Sequence, residues 1–459
     1  MKGRGVGDVE GGDDHERQGT VWTATAHIVA AVIGSGVLAL AWSVAQLGWI
    51  VGPLVILGFS CVTYYTSTLL ANCYRYPDPV TGTINHAYMD AVRSYLGPRE
   101  VFLCGCAQYV NLWGTMVGYT ITASTSMIAV KRVNCFHRNG DNATCGSSGT
   151  VFMLIFGMVQ LVLSQFPSLE NITWLSVVAV VTSFAYSFIS LGLCIAKWIS
   201  HGDFRGDLAG THGSHKLINV LLALGNVAFA YTFADVFIEI QNTLKSPPAE
   251  NKTMKKASFY GISLTTVFYM ALGCIGYAAF GNDAPGNILT GGFHEPFWLV
   301  DLANICVIVH LVGAYQVYAQ PIFARFEETV AARWPDAKFI HRTYTVRVPF
   351  TDESYLSYTL LKLVFRSALI MLTTLVSMLL PLFNAILGLI GALSFWPLSV
   401  YFPVRMHVAQ KKIRRGSSKW LMLQGLGMVC LLISIAASVG SVADIVNNLK
   451  LAAPFKTVY

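Results

Sequence analysis

Two stretches of the 459-residue chain, Gly34-Ser35-Gly36 and 225–232, place helix-breaking or polar residues inside apolar runs. A helix interrupted inside a membrane exposes backbone N–H and C=O groups, which are tolerated there only where they line a cavity. The half-helix that starts after Gly36 points the positive end of its dipole at such a cavity, which suits a carboxylate. Helix packing is the alternative use of such small residues. We predict a substrate site lined by Ile33, Gly34, Ser35, Gly36, Asn226, Phe229, Ala230 and Tyr231.

Ionisable residues within apolar segments are rare and are usually functional. His27 lies seven residues before Gly34 on the same helical face, and histidine titrates near physiological pH. We predict that His27, Asp235, Glu239 and His310 act in proton coupling or gating. For each histidine the alternative is a neutral ring hydrogen-bonded between helices. Asp235 is a coupling group, a counter-ion for a cationic side chain, or a structural acid bonded to a neighbour.

The third apolar segment has a polar face that includes Asn111, one helical turn before Thr115. Such a face suits the wall of a cavity, and equally a seam between packed helices. We include Asn111 among the predicted substrate-binding residues.

Cys135 and Cys145 flank a glycosylation sequon that begins at Asn142. A disulfide and an N-linked glycan both belong to an oxidising, extracytoplasmic compartment. We therefore predict a Cys135–Cys145 disulfide and glycosylation of Asn142. The alternative is a metal pair, but only His137 lies nearby, and we predict no metal site.

Composition indicates that lipid surrounds these segments. The chain is 54% hydrophobic and 12% charged, whereas soluble proteins average about 25% charged residues. A membrane span needs roughly 20 apolar residues. We predict an all-α polytopic membrane protein with about eleven spans, at 21–48, 51–73, 101–130, 150–166, 171–196, 217–243, 258–280, 297–324, 359–381, 384–404 and 420–446.

Most of the 31 lysines and arginines fall in loops on one side of these spans. The positive-inside rule then places the N-terminus in the cytoplasm and, with eleven spans, the C-terminus outside. The net charge of +7 therefore reflects topology and does not indicate nucleic-acid binding. Residues 1–20 are acidic and glycine-rich without an apolar run, which predicts a disordered cytoplasmic tail rather than a signal peptide.

The two interrupted segments are the first and sixth spans, so each opens a set of five. Because five is odd, the second set enters the membrane from the opposite side. Interrupted helices at matching positions of inverted halves indicate a transporter's midplane site. We predict a first repeat at 21–200, a second at 217–406, an extra helix at 419–447 and an extracellular tail at 448–459.

The sequence contains no metal-spaced His/Cys cluster, phosphate-binding loop or nucleophile elbow. We therefore predict that the protein is not an enzyme. We expect no cofactor, with H⁺ as the coupling ion. The expected partners are a small-molecule substrate, protons and the lipid bilayer.

Nearly the whole chain, from Thr20 onward, resembles the plant amino acid permeases of the amino acid/auxin permease family. The resemblance is carried by stretches such as GTVWTATAHIVAAVIGSGVLALAWSVAQLGW (19–49), FAYTFADVFIEIQNTLKSPP (229–248) and HLVGAYQVYAQPIFA (310–324). It implies a leucine-transporter-type fold with inverted five-helix repeats and proton-coupled import of amino acids at the plasma membrane. The substrate's amino and carboxylate groups would lie between the two interruptions. His27 and His310 match histidines that recur in similar sequences.

Two positions depart from this family's pattern. Similar sequences usually have an apolar residue at position 235 and an acid at position 242, where this chain has Asp235 and Asn242. We expect Asp235 to alter substrate range or coupling, in the direction of cationic amino acids. The alternative functions are a carrier of auxin or another organic acid and an amino-acid-sensing receptor without concentrative transport.

Overall fold

The structure is a computed structural model that describes residues 17–140, 145–166, 173–213, 215–335, 337, 339, 342–347 and 355–451. In these residues two short antiparallel hairpins accompany the helices: β1 (Arg75–Tyr76) with β2 (Thr83–Ile84), and β3 (Thr343–Arg347) with β4 (Tyr355–Thr359). The α-helices are α1 (Val21–Val32), α2 (Leu40–Asn72), α3 (Tyr88–Leu96), α4 (Pro98–Asn139), α5 (Gly149–Leu163), α6 (Thr173–His201), α7 (Lys216–Ala230), α8 (Ala234–Asn242), α9 (Glu250–Phe280), α10 (Ile288–Gly292), α11 (Phe297–Arg333), α12 (Leu360–Leu379), α13 (Phe383–Ser394), α14 (Phe402–Gln410) and α15 (Ser418–Leu451).

The first predicted span is interrupted as expected. A capping box starts α1, since the Thr20 N–H donates to the Thr23 hydroxyl (2.7 Å) and the Thr23 N–H to the Thr20 hydroxyl (3.3 Å). The helix ends at Val32, Gly34 is extended, and a 3₁₀ turn at Ser35–Ala39 leads into α2. The short polar glycine stretch therefore ends one helix and begins another.

The sixth predicted span is interrupted between α7 and α8. Residues 231–233 leave the helical conformation, with φ of −140° at Phe233, and α8 begins at Ala234. The second interruption therefore lies at the end of the predicted stretch 225–232, whose residues 225–230 are still helical.

Gly48 forms a kink between the first two predicted spans, inside the helical range Leu40–Asn72. Its φ is +83°, a conformation that glycine adopts without strain. A Cβ there would also collide with the Gly210 nitrogen and the Leu208 carbonyl oxygen. Only glycine fits this bend.

Within the described residues, eight helical segments are long and apolar enough to cross a membrane, and Val21–Val32 and Gly149–Leu163 are shorter apolar helices. A polytopic helical architecture is therefore confirmed, whereas the number of eleven spans stays a prediction. The last helix extends to Leu451, beyond the predicted end at 447.

Helices at the same position in the two predicted repeats pack against each other, and a contact between two helices of different repeats recurs between their counterparts. The second span packs on the seventh (α2 on α9) and the third on the eighth (α4 on α11). The contact between α1 and α9 has its counterpart in the contact between α7 and α2. This exchange of partners is what two inverted halves produce, while the repeat boundaries stay a prediction.

Residues 17–20, which we assigned to a disordered tail, are instead held against the end of α8. The Gly19 N–H donates to the Thr243 carbonyl (3.0 Å), and the Lys245 N–H donates to the Gly19 carbonyl (3.0 Å). This pairing links the start of the first span to the end of the sixth.

Candidate functional site

A cavity of about 260 Å³ lies beside the interruption of the first span. Its walls come from α1, α4, α6, α8 and α11, which belong to the first, third, fifth, sixth and eighth predicted spans. The lining residues are His27, Ala30, Ala31, Gly34, Tyr119, Ala179, Val180, Val236, Ile240, His310, Gly313, Ala314, Val317 and Tyr318. A mainly apolar wall with a few polar groups is typical of a small-molecule site.

The cavity brings His27, His310 and Gly34 together. His310 is buried, and its Nδ1 lies 2.8 Å from the Ala179 carbonyl oxygen. A nitrogen bonded to a carbonyl carries the proton, which leaves Nε2 as the atom that can gain or lose one. His27 is exposed and borders the cavity. One histidine is therefore oriented inside the site and the other lies at its margin.

Two tyrosines that we did not single out from the sequence also line the cavity. The Tyr119 hydroxyl lies on the open side of Gly34, 3.8 Å from where a Cβ would stand. Its ring packs edge-on against Tyr318, with centroids 5.5 Å apart. The signal in the sequence was the hydroxyl itself, since a tyrosine inside a span places a polar tip among apolar neighbours.

Gly36 and Ile33 lie against protein rather than against the cavity. A Cβ on Gly36 would stand 3.1 Å from the Phe229 ring and 3.3 Å from the Ala230 Cβ, so this glycine lets the two interruptions touch. Ile33 is buried. Gly36 therefore serves helix packing, which was the alternative use of these small residues. Gly34, in contrast, borders the cavity.

Ser35 and Asn226 are buried polar residues without partners in the protein. The Ser35 hydroxyl and both amide atoms of Asn226 accept or donate no hydrogen bond. Buried polar groups are normally satisfied, so each such exception needs an explanation. An unfilled binding position is one explanation, and it agrees with the predicted role of both residues.

Tyr231 follows the last residue of α7 and is fully buried, with its hydroxyl 3.0 Å from the Thr266 Oγ1. The hydroxyl of Thr266 in turn lies 2.7 Å from that of Ser60. Tyr231 is therefore part of a polar contact between α7, α9 and α2, and its side chain is already partnered.

Asp235 is buried near the start of α8, and its Oδ2 accepts a hydrogen bond from the Asn111 amide (2.9 Å). The other amide atom of Asn111, Oδ1, has no partner. The polar face of α4 thus meets the sixth span through this pair, close to but not lining the main cavity. This hydrogen bond is what we expected of Asp235 as a structural acid. Its roles as a coupling group or as a counter-ion stay open.

Glu239 lies apart from the histidines, in a second cavity of about 370 Å³ between α3, α4, α8 and α11. Charged side chains from α3 and α11 share this cavity, including Arg93 and Arg325. Each arginine has its carboxylate partner on its own helix: Asp90 at 3.8 Å from Arg93, and Glu328 at 3.7 Å from Arg325. Glu239 shares this cavity with both arginines, and in the described part of the chain neither of them forms an ion pair with it.

On the opposite side of the interruptions, α7 packs backbone to backbone on α13. A Cβ on Gly391 would collide with the Gly225 carbonyl oxygen and the Phe229 nitrogen, and one on Gly225 with the Gly388 carbonyl oxygen. The α7 side of the interruptions is therefore closed by direct backbone contact.

The structure joins Cys135 and Cys145 by a disulfide bond. Asn142, the predicted glycosylation site between them, lies outside the described residues. Among the residues that the structure describes, no group of three or more His, Cys, Asp or Glu side chains is arranged to hold a metal ion.

Comparison with known proteins adds three findings. Residues 17–447 match a family model described as transmembrane amino acid transporter protein. The chain is 54% identical to amino acid permease 6 of Arabidopsis thaliana (98% of this chain, 94% of that protein), and 53% identical to amino acid permease 1 of the same plant (97% and 93%). A solved structure of MhsT in complex with L-phenylalanine superposes with a TM-score of 0.53 at 10% identity (91% of this chain, 98% of that chain). This likeness confirms the predicted leucine-transporter-type fold.

Proposed function

Because the chain belongs to the transmembrane amino acid transporter family, and is a transporter rather than an enzyme, we propose that it imports amino acids together with protons across the plasma membrane. The observation that carries this proposal is that His27, His310 and Gly34 border one and the same cavity. Two imidazole side chains, which can take up or release a proton, meet an interrupted helix there.

The interruptions supply complementary partners for an amino acid. The first N–H groups of the 3₁₀ turn at Ser35–Ala39 form the positive end of a helical segment, which favours the substrate carboxylate. The carbonyl ends of α1 and α7 are negative, and the carbonyls there that no side chain contacts favour the ammonium group. Asn226 and Ser35 offer unpaired polar atoms for the same ligand.

The two sides of the interruptions differ, because one borders the cavity and the other is closed by the contact of α7 with α13. This difference is the basis for alternating access. The cavity lies on the side of α1 and α8, and the positive-inside rule places that side in the cytoplasm. We propose that the structure represents an inward-facing arrangement. In the outward-facing one, α1 and α8 close over the cavity and Glu239 approaches Arg93 or Arg325.

The test is uptake of radiolabelled amino acids into proteoliposomes that contain the purified protein. We expect accumulation above equilibrium with about pH 5.5 outside and about pH 7.5 inside, a gradient that spans the range in which a free imidazole changes charge. A protonophore should abolish the accumulation. Uptake that needs sodium instead would refute the proton assignment.

A panel of competitors in the same assay separates the alternatives. Competition by auxin rather than by amino acids would indicate an organic-acid carrier. Binding without accumulation in any gradient would indicate a receptor.

A further inference from the structure

The two interrupted helices end at carbonyl groups that face one side chain. The hydroxyl oxygen of Tyr269, on α9, lies 2.5 Å from the Val32 carbonyl oxygen and 3.1 Å from the Ala230 carbonyl oxygen. Val32 is the last residue of α1 and Ala230 the last of α7. One phenolic oxygen therefore stands between the carbonyl ends of both half-helices.

Such carbonyls favour a positive partner, although the Val32 carbonyl also accepts a hydrogen bond from the Gly34 N–H (2.9 Å). The C-terminal end of a helix carries partial negative charge, and here two such ends converge. In transporters with discontinuous helices, unwound carbonyls and half-helix C-terminal ends coordinate the Na⁺ or H⁺ that drives transport. The position between Val32 and Ala230 is thus where a coupling cation is expected.

The Tyr269 hydroxyl already occupies that position. Its distance of 2.5 Å from the Val32 oxygen is that of a short O–H···O hydrogen bond. The ring is fully buried and packs edge-on against Tyr231, with centroids 5.4 Å apart. The hydroxyl has one proton, which it donates to the nearer Val32 carbonyl while its oxygen stays close to Ala230.

We propose that the Tyr269 hydroxyl takes the place of a cation between the two interruptions. In this arrangement it joins the carbonyl ends of α1 and α7, so the site needs no sodium to hold them together. Tyr269 is a positioning residue, because it acts on the backbone at the site rather than on the substrate. The inference rests on the proposed proton-coupled transport and adds how that coupling dispenses with sodium.

Tyr269→Phe tests this, because it removes the hydroxyl and leaves the ring. Uptake is measured at a fixed acidic external pH in sodium, lithium, potassium or choline chloride. We expect wild-type uptake to be equal in the four salts. In the variant we expect uptake in choline to fall about tenfold, the size of a typical coupling between two bound ligands, and sodium or lithium to restore most of it.

Tyr277→Phe is the matched control. Tyr277 lies two turns further along α9, and its hydroxyl also makes hydrogen bonds, with the Asp207 backbone (2.7 Å from its nitrogen) and the Asn282 side chain (2.9 Å). Whatever this variant loses in uptake, the loss should be the same in every salt. A sodium response in Tyr277→Phe would mean that the effect is not specific to the position between the interruptions.

Equal loss of uptake in all four salts for Tyr269→Phe, or no loss, overturns the proposal.

Thermal unfolding of the solubilised wild type in the same salts gives a readout that does not need the variant to fold. Equal midpoints support the proposal, and a midpoint raised by sodium but not by choline overturns it. If wild-type uptake itself requires sodium, proton coupling fails as well. If wild-type uptake follows pH but the variant gains no cation response, only the role of Tyr269 fails.

Discussion

The two halves of the sixth span, α7 and α8, are packed in opposite ways. Along α7, glycines bring its backbone into direct contact with α13, at Gly225 and Gly391. Along α8, Val236 and Ile240 border the main cavity, and the helix end is held by polar contacts such as that of the Asn242 Oδ1 with Arg17 (3.1 Å).

This difference indicates which half moves. Close-packed backbones have no room to shift gradually, so α7 and α13 behave as one rigid unit. A helix that faces a cavity can move with little loss of contact, and polar contacts near the surface are weak. We expect α8 to move with α1, to which it is linked through Gly19, while α7 stays fixed.

Gly391→Ala gives the largest expected effect. The added methyl collides with backbone atoms of α7, which cannot move aside, so we expect a loss of about 3 kcal/mol in stability and little uptake. Gly425→Ala on α15 is the control, because a Cβ there meets nothing within 4 Å. Melting temperature and uptake are the measurements, and a normal melting temperature for Gly391→Ala would show that the α7 side is not rigid.

His310→Leu and His27→Leu separate the two histidines on the cavity side. Removing the His310 ring takes one hydrogen bond from the Ala179 carbonyl, which the Thr182 hydroxyl still contacts at 3.1 Å, so we expect a loss of about 1 kcal/mol. His27 is exposed, so its variant should keep its stability. Both should lose the increase of uptake with external acidity, measured between about pH 5.5 and about pH 7.5. An unchanged pH profile in both variants would remove the histidines from the coupling mechanism.

Asp235→Val tests whether this acid sets substrate range. If Asp235 serves as a counter-ion, lysine uptake should fall about tenfold relative to alanine uptake, equivalent to about 1.4 kcal/mol. Asp235→Asn is the control for hydrogen bonding, since it can still pair with Asn111 but carries no charge. Unchanged lysine and alanine uptake at both pH values in Asp235→Val would leave Asp235 a purely structural role.

Asn242→Asp gives the smallest expected effect. A carboxylate at this position would accept charge-assisted hydrogen bonds from Arg17 and from the Tyr74 hydroxyl, which lies 2.8 Å from the Asn242 Oδ1. Arg17 is 30% exposed, so we expect a gain below about 1 kcal/mol and a slightly raised melting temperature. Asn242→Ala should shift the melting temperature in the opposite direction. A lower melting temperature in Asn242→Asp would show that this contact does not hold α8.

The sequence by itself determined the helices and the places where they are interrupted. Apolar runs and their polar or glycine interruptions are local signals, and a backbone inside a membrane has few alternatives to a helix. The interruptions at Gly34 and Tyr231 could therefore be predicted, as could the leucine-transporter-type fold through the family resemblance.

Only the tertiary structure decided how the predicted site residues are divided. His27 and Gly34 meet His310 at one cavity, Asp235 is paired with Asn111, and Glu239 lies in a second cavity. Tyr269 contacts both interruptions, and Val32, at the first of them, lies more than 200 positions away along the chain. No local sequence pattern predicts this contact. Such contacts depend on how helices pack, which spacing along a single segment does not specify.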